Sequence, residues 1–62
     1  MTPIEYVTRL RIGKACSALM ESEKSIAAVA ELAGYDNLAN FNRQFLRLKI
    51  MPPREWRRQF AG

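Results

Sequence analysis

Gly34 stands between two segments that read as helices, and this constrains the fold more than any other feature of the chain. Before it, Ile26-Ala27-Ala28-Val29-Ala30-Glu31-Leu32-Ala33 is short and Ala-rich, with Ile26, Val29, Ala30 and Ala33 on one face. Ser25 is placed to cap its start. Small Ala side chains let another helix approach closely. Gly34 sits where the left-handed residue that closes a helix belongs. Tyr35 is apolar enough to tuck under the turn, and Asp36 or Asn37 can cap the next helix. After the turn, Leu38, Phe41, Phe45 and Leu48 recur at i, i+3, i+7 and i+10, one apolar stripe of an amphipathic helix. Short helix, Gly-containing turn and amphipathic helix together make a helix-turn-helix. Ala30 precedes Gly34 by four residues, the usual spacing of that motif. The next apolar anchor is Phe41 rather than Asn40, so the turn reads as one residue longer than usual.

The polar side of the second helix carries Ala39, Asn40, Asn42, Arg43, Arg47 and Lys49. Asn and Arg have the forked donors and acceptors that match adenine and guanine edges in the major groove. Most polar helix faces are merely solvated. Here the preceding helix and the charge distribution favour the more specific reading. Residues 1–37 hold four basic and five acidic side chains. Residues 38–62 hold Arg43, Arg47, Lys49, Arg54, Arg57 and Arg58 against Glu55 alone. Positive charge gathered in one part of a small fold is an electrostatic footprint for a polyanion.

What the chain lacks narrows the function further. There is no His, and the single Cys16 lies among apolar neighbours, where an inert thiol is expected. No catalytic residue, metal ligand or cofactor is therefore expected, and an enzyme is not. No apolar run approaches the ~20 residues of a membrane span and Met1 opens no signal peptide, so the expected location is the cytoplasm, at the nucleoid.

The N-terminal third reads as one long helix. Thr2 can cap it, Pro3 suits its first position, and Glu5 three residues after Thr2 has capping-box spacing. Ile4, Val7, Ile12, Ala15, Ala18 and Leu19 share one broad side, while Tyr6, Leu10, Cys16 and Met20 fall largely elsewhere. A helix apolar on more than one side packs on more than one side. Gly13 weakens its middle by about 1 kcal/mol relative to Ala. At the other end, Pro53 suits the start of a last helix.

Taken together, the run Pro3-Ile4-Glu5-Tyr6-Val7, Arg9-Leu10-Arg11-Ile12, Lys14-Ala15-Cys16, Ser25-Ile26, Val29-Ala30, Gly34-Tyr35, Phe41-Asn42-Arg43-Gln44-Phe45 and Met51-Pro52-Pro53-Arg54-Glu55-Trp56-Arg57-Arg58 closely resembles the C-terminal DNA-binding region of AraC/XylS-type bacterial transcription regulators. The resemblance spans nearly the whole chain in order. That region normally holds two helix-turn-helix units joined by a long central helix. Residues 1–62 match the second unit, with the central helix at 3–20. The absent first unit would account for a first helix that is apolar on two sides.

The resemblance makes residues 26–33 the supporting helix and 38–49 the helix that enters the major groove. Leu38, Ala39, Asn40, Asn42 and Arg43 then fall at base-contacting positions. Asn40 and Arg43 are the foremost candidates for base edges, and the positive charge of Arg47, Arg54, Arg57 and Arg58 would supply phosphate contacts or long-range attraction. Phe41 and Phe45 match core aromatics, and Trp56 fills an aromatic position expected against Phe45. Two residues depart from the pattern: Ile50 where Gly is common, and Pro52 where Ser or Thr usually caps the last helix. Ile50 would then be strained and the last helix left without a side-chain cap.

The expected architecture is all-α, with helices near 3–20, 25–33, 37–48 and 53–60. Tyr6, Ile12, Leu19, Ile26, Val29, Ala30, Tyr35, Phe41, Phe45, Trp56 and Phe60 form the expected core. The expected function is sequence-specific binding of double-stranded DNA within a bacterial transcription regulator. The alternative is a helical protein-interaction module that docks on RNA polymerase or self-associates through helix 3–20. Asn on the polar face adds nothing to membrane attachment, so no membrane partner is expected.

Overall fold

The helix boundaries follow from the caps. The computed structural model describes residues 2–61, in which α1 (Pro3–Glu21), α2 (Ile26–Leu32), α3 (Leu38–Lys49) and α4 (Pro53–Phe60) follow one another. Thr2 Oγ1 accepts from the Glu5 amide at 3.1 Å, Ser25 Oγ from Ala28 at 3.1 Å, and Asn37 Oδ1 from Asn40 at 2.9 Å. Each bond satisfies an amide that the first helical turn leaves without a backbone partner. Pro52 offers no such acceptor, and α4 begins on Pro53 without a side-chain cap.

The turn after α2 is built as the sequence suggests. Gly34 is left-handed at φ 95°. Its amide bonds Glu31 O at 3.0 Å and the Tyr35 amide bonds Ala30 O at 3.0 Å, the paired bonds of a Schellman motif. A side chain at Gly34 would also press on Arg11, whose Nε lies 3.4 Å from the position a Cβ would take. Arg11 instead lies over the Tyr35 ring, 5.5 Å from its centroid, which ties the turn to α1.

Helix α1 is the platform, and each of the other three helices packs on it. The core is Ile12, Ala15 and Leu19 of α1, Val29 and Ala30 of α2, Ala33 and Tyr35 of the turn, and Phe41 and Phe45 of α3. Cys16, Ala18, Ile26, Leu48 and Trp56 pack around it. A line of aromatics runs through this core and out along α4. Tyr35, Phe41, Phe45, Trp56 and Phe60 follow at centroid spacings of 5.5, 5.7, 5.9 and 5.2 Å, with Trp56 edge-on to Phe45.

Several side chains lie elsewhere than their periodicity suggests. Tyr6 is 58% exposed and Phe60 56%, so neither is core. Phe60 instead lies against the Trp56 ring, with centroids 5.2 Å apart. On α1 the packed stripe is Ile12, Ala15, Cys16 and Leu19, spaced i, i+3, i+4 and i+7, which brings Cys16 in and leaves Ile4 and Val7 out. Apolar packing on α1 begins only at Ile12, so Ile4, Tyr6, Val7 and Leu10 remain exposed. Leu38, expected in the buried stripe of α3, is 43% exposed because it begins the helix at the edge of the core.

Candidate nucleic-acid interface

Phe41 and Phe45, both fully buried, fix the rotation of α3 about its axis, and the Asn37 cap fixes where it starts. At about 100° per residue the opposite side is then determined. Ala39, Arg43 and Leu46 form its central ridge, spaced i, i+4 and i+7, and all are exposed. Leu38 and Asn42 flank the ridge on one side, facing a concavity that Ile26, Pro52, Pro53 and Arg54 complete. Asn40, Gln44 and Arg47 flank it on the other, towards α1, and Asn40 there is half-buried.

The positive side chains have different surroundings. Arg43 and Arg54 share the concavity beside α3, and no ion pair engages either among the described residues. Arg47 is engaged at every nitrogen of its fork. Its Nε donates to Gln44 Oε1 at 3.0 Å, and its two terminal nitrogens donate to the two Glu5 oxygens at 3.3 and 3.0 Å. Glu5 lies on the packed face of α1, seven residues before Ile12, which is how it reaches α3. This contact uses the carboxylate that capping-box spacing would have directed at Thr2. Hydrogen bonding from Arg47 is the main cause that holds Glu5 below the ordinary glutamate value.

Arg57 is drawn inward. Its Nε donates to Leu19 O at 3.2 Å and its Nη2 to Ser22 O at 3.3 Å, at the C-terminal end of α1. That end has no basic residue of its own in its last turn. Arg57 supplies both the donors and the positive charge that helix carbonyls favour. Its guanidinium is therefore part of the scaffold. Arg58 is exposed and lines a separate concavity with Met20, Glu21 and Glu23, away from Arg43 and Arg54.

The structure thus brings Leu38, Ala39, Asn42, Arg43 and Arg54 together, and sets Asn40, Arg47, Arg57 and Arg58 apart from them. Leu46 joins the first group. The sequence already carried its signal, since it falls three residues after Arg43 and off the stripe of Phe41, Phe45 and Leu48. Burial pushes the Cys16 thiol up, which disfavours the reactive thiolate. Among the described residues no group of His, Cys, Asp or Glu could hold a metal ion, and no helix is long and apolar enough to cross a membrane.

The profile of a family described as a helix-turn-helix domain matches residues 1–59. The chain belongs to the AraC-type helix-turn-helix family of transcription regulators. Relatives bear this out. A putative AraC-like transcription regulator of Streptomyces lividans is 36% identical over 56 residues, covering 90% of this chain and 18% of its own length. The MmsAB operon regulatory protein of Pseudomonas aeruginosa is 34% identical over 58 residues, 94% of this chain and 19% of its own. An uncharacterized HTH-type transcriptional regulator of Bacillus subtilis, YobQ, is 38% identical over 56 residues, 90% of this chain and 23% of its own. The AraC-type chain described here thus spans about a fifth of the length of these curated relatives. No solved structure matches it. AraC-type proteins are transcription regulators, a class that is generally not enzymatic.

Proposed function

We propose that this AraC-type domain binds double-stranded DNA in a sequence-specific manner, with α3 in the major groove. One observation carries the reading. Arg43 and Asn42 project side by side from a helix that is capped, anchored by two buried rings and rotated so that both are exposed. Arg pairs with guanine and Asn with adenine along base edges. Arg43 and Asn42 are the readers, with Leu38 and Ala39 beside them, and Asn40 contributes from the flank. Arg54 meets a phosphate next to the groove, Lys49 lies at the helix end nearest the backbone, and Arg58 adds long-range attraction. Arg47 orients α3 through Glu5.

Residues 1–62 are proposed to be the second helix-turn-helix unit of such a regulator. Selection from random duplexes, followed by titration of the selected site against salt, tests the reading. Neutralising about two to four phosphates gives a log–log slope of about −2 to −3.5, and one unit covering one groove segment binds at about micromolar or weaker. Binding that selects no site, or that ignores salt, would refute it.

A second reading rests on a different observation. Ile4, Tyr6, Val7 and Leu10 leave one end of α1 apolar and exposed, the kind of patch that recruits a partner. Self-association or docking on RNA polymerase through α1 would result, and sedimentation across a wide concentration range tests the first of these.

A further inference from the structure

The ridge of α3 that faces outward is not uniformly polar. Ala39 stands one turn before Arg43 and Leu46 one turn after it, with Leu38 beside Ala39, and the two leucines are 43% and 49% exposed. Leu46 is not among the side chains that build the core, where α3 is held by Phe41, Phe45 and Leu48 from the other side. An exposed leucine beside an exposed arginine on a basic helix fits a surface that offers a charged or polar edge and a methyl group close together. The major groove offers that combination where a thymine adjoins a guanine, with the thymine C5 methyl next to guanine O6 and N7.

We infer that Leu46 and the Leu38–Ala39 pair read thymine methyl groups on either side of the guanine taken by Arg43. This rests on α3 lying in the major groove. The spacing suits it. Ala39 lies ~6 Å before Arg43 along the helix and Leu46 ~4.5 Å after it, at 1.5 Å rise per residue. With base pairs ~3.4 Å apart, each contact falls one or two base pairs from the guanine. The occupant is duplex DNA rather than an apolar protein segment, because Arg43 and Arg54 line the same concavity as Leu46 and leave it positively charged.

The test replaces thymines of the selected site by deoxyuridine, one at a time, which removes the methyl group and keeps every hydrogen-bonding atom. The chain should lose about three- to fivefold in affinity at a thymine one or two pairs from the guanine on each side, the worth of one buried methyl. Leu46→Ala should bind the thymine and uridine versions of its own position equally, and keep the discrimination on the Leu38–Ala39 side. A site that is still selected, but in which every uridine is neutral, overturns the inference and leaves the DNA reading standing. Failure to select any site overturns both. Leu46→Ala that keeps the full thymine preference on both sides removes Leu46 as a reader.

Discussion

Arg47 on α3 and Glu5 on α1 pair through two guanidinium nitrogens and both carboxylate oxygens, at 3.3 and 3.0 Å, across 42 positions of sequence. Arg9 adds a weaker approach to the same carboxylate at 3.4 Å. Hydrogen bonding from Arg47 outweighs the desolvation that opposes it, and the charges of Arg47 and Arg9 add to the lowering. A group whose folded value is depressed gives stability that is present above its unfolded value and lost as pH falls through the folded one. A carboxyl-carbon NMR titration should therefore place the Glu5 midpoint below the ordinary glutamate value, and Arg47→Ala should raise it. A midpoint that stays put in that variant would show that the pair does not persist in solution.

Arg57 should behave as scaffold. Removing its two bonds to the α1 carbonyls also removes the cation at that helix end. Arg57→Ala is expected to cost about 1–2 kcal/mol, since hydrogen bonds from charged groups are worth ~1.5–3 kcal/mol and this one is only partly buried. Arg58→Ala should stay within ~0.5 kcal/mol, as exposed substitutions usually do. Urea denaturation of both variants makes the comparison. Equal stability would refute the assignment.

Ile50 closes α3 in the left-handed region, at φ 67° and ψ 8°, with its amide on Leu46 O at 2.8 Å. A β-branched side chain is strained there, by about 1–2 kcal/mol. Because Ile50 is 80% exposed, its removal forfeits little burial. Ile50→Gly should stabilise the fold by ~0.5–1 kcal/mol after the extra entropy of the unfolded glycine is subtracted. Ile50→Ala keeps the strain and should gain nothing comparable. Thermal unfolding midpoints of the two variants decide it.

What the sequence made legible was local. The Thr2 and Ser25 caps and the Gly34–Tyr35 turn depend on residues a few positions apart and are found there, and of Asp36 and Asn37 it is Asn37 that caps α3. The left-handed Ile50 and the uncapped start at Pro52 were legible only through the family resemblance, as departures from its pattern. The burial of Phe41 and Phe45 was equally legible, because a strong stripe admits one packing side. On α1, where apolar residues surround the helix, periodicity could not choose a side. The partners chose it, and Cys16 went in while Tyr6 stayed out. The contacts of Arg47 and Arg57 run to Glu5, Leu19 and Ser22, which lie 35 to 42 positions away, so charge counting could not show that both cations are already engaged within the fold. Leu46 was visible on the outer ridge but carried no hydrogen-bonding group to mark it.

Arg43 and Arg47 allow reading to be separated from attraction on a single helix. Arg43 is exposed beside Asn42 in the concavity next to α4, early enough in α3 to reach into the groove. Arg47 is one turn further on and occupied by Glu5 and Gln44. Arg43→Ala should remove a two-pronged contact worth ~1–3 kcal/mol at the selected site and relax preference at one base pair. Arg47→Ala should leave every base preference in place. It should also lower the salt slope by less than the ~0.9 unit of a full phosphate contact, because the intramolecular carboxylate already neutralises much of its charge. Affinities of each variant for the selected site and its single-base changes, at two or more salt concentrations, provide the comparison. If Arg43→Ala weakens all sequences equally and keeps the preference, Arg43 is not a reader. Asn42, exposed on the flank of the ridge beside Arg43, would then be the side chain that meets the base edge.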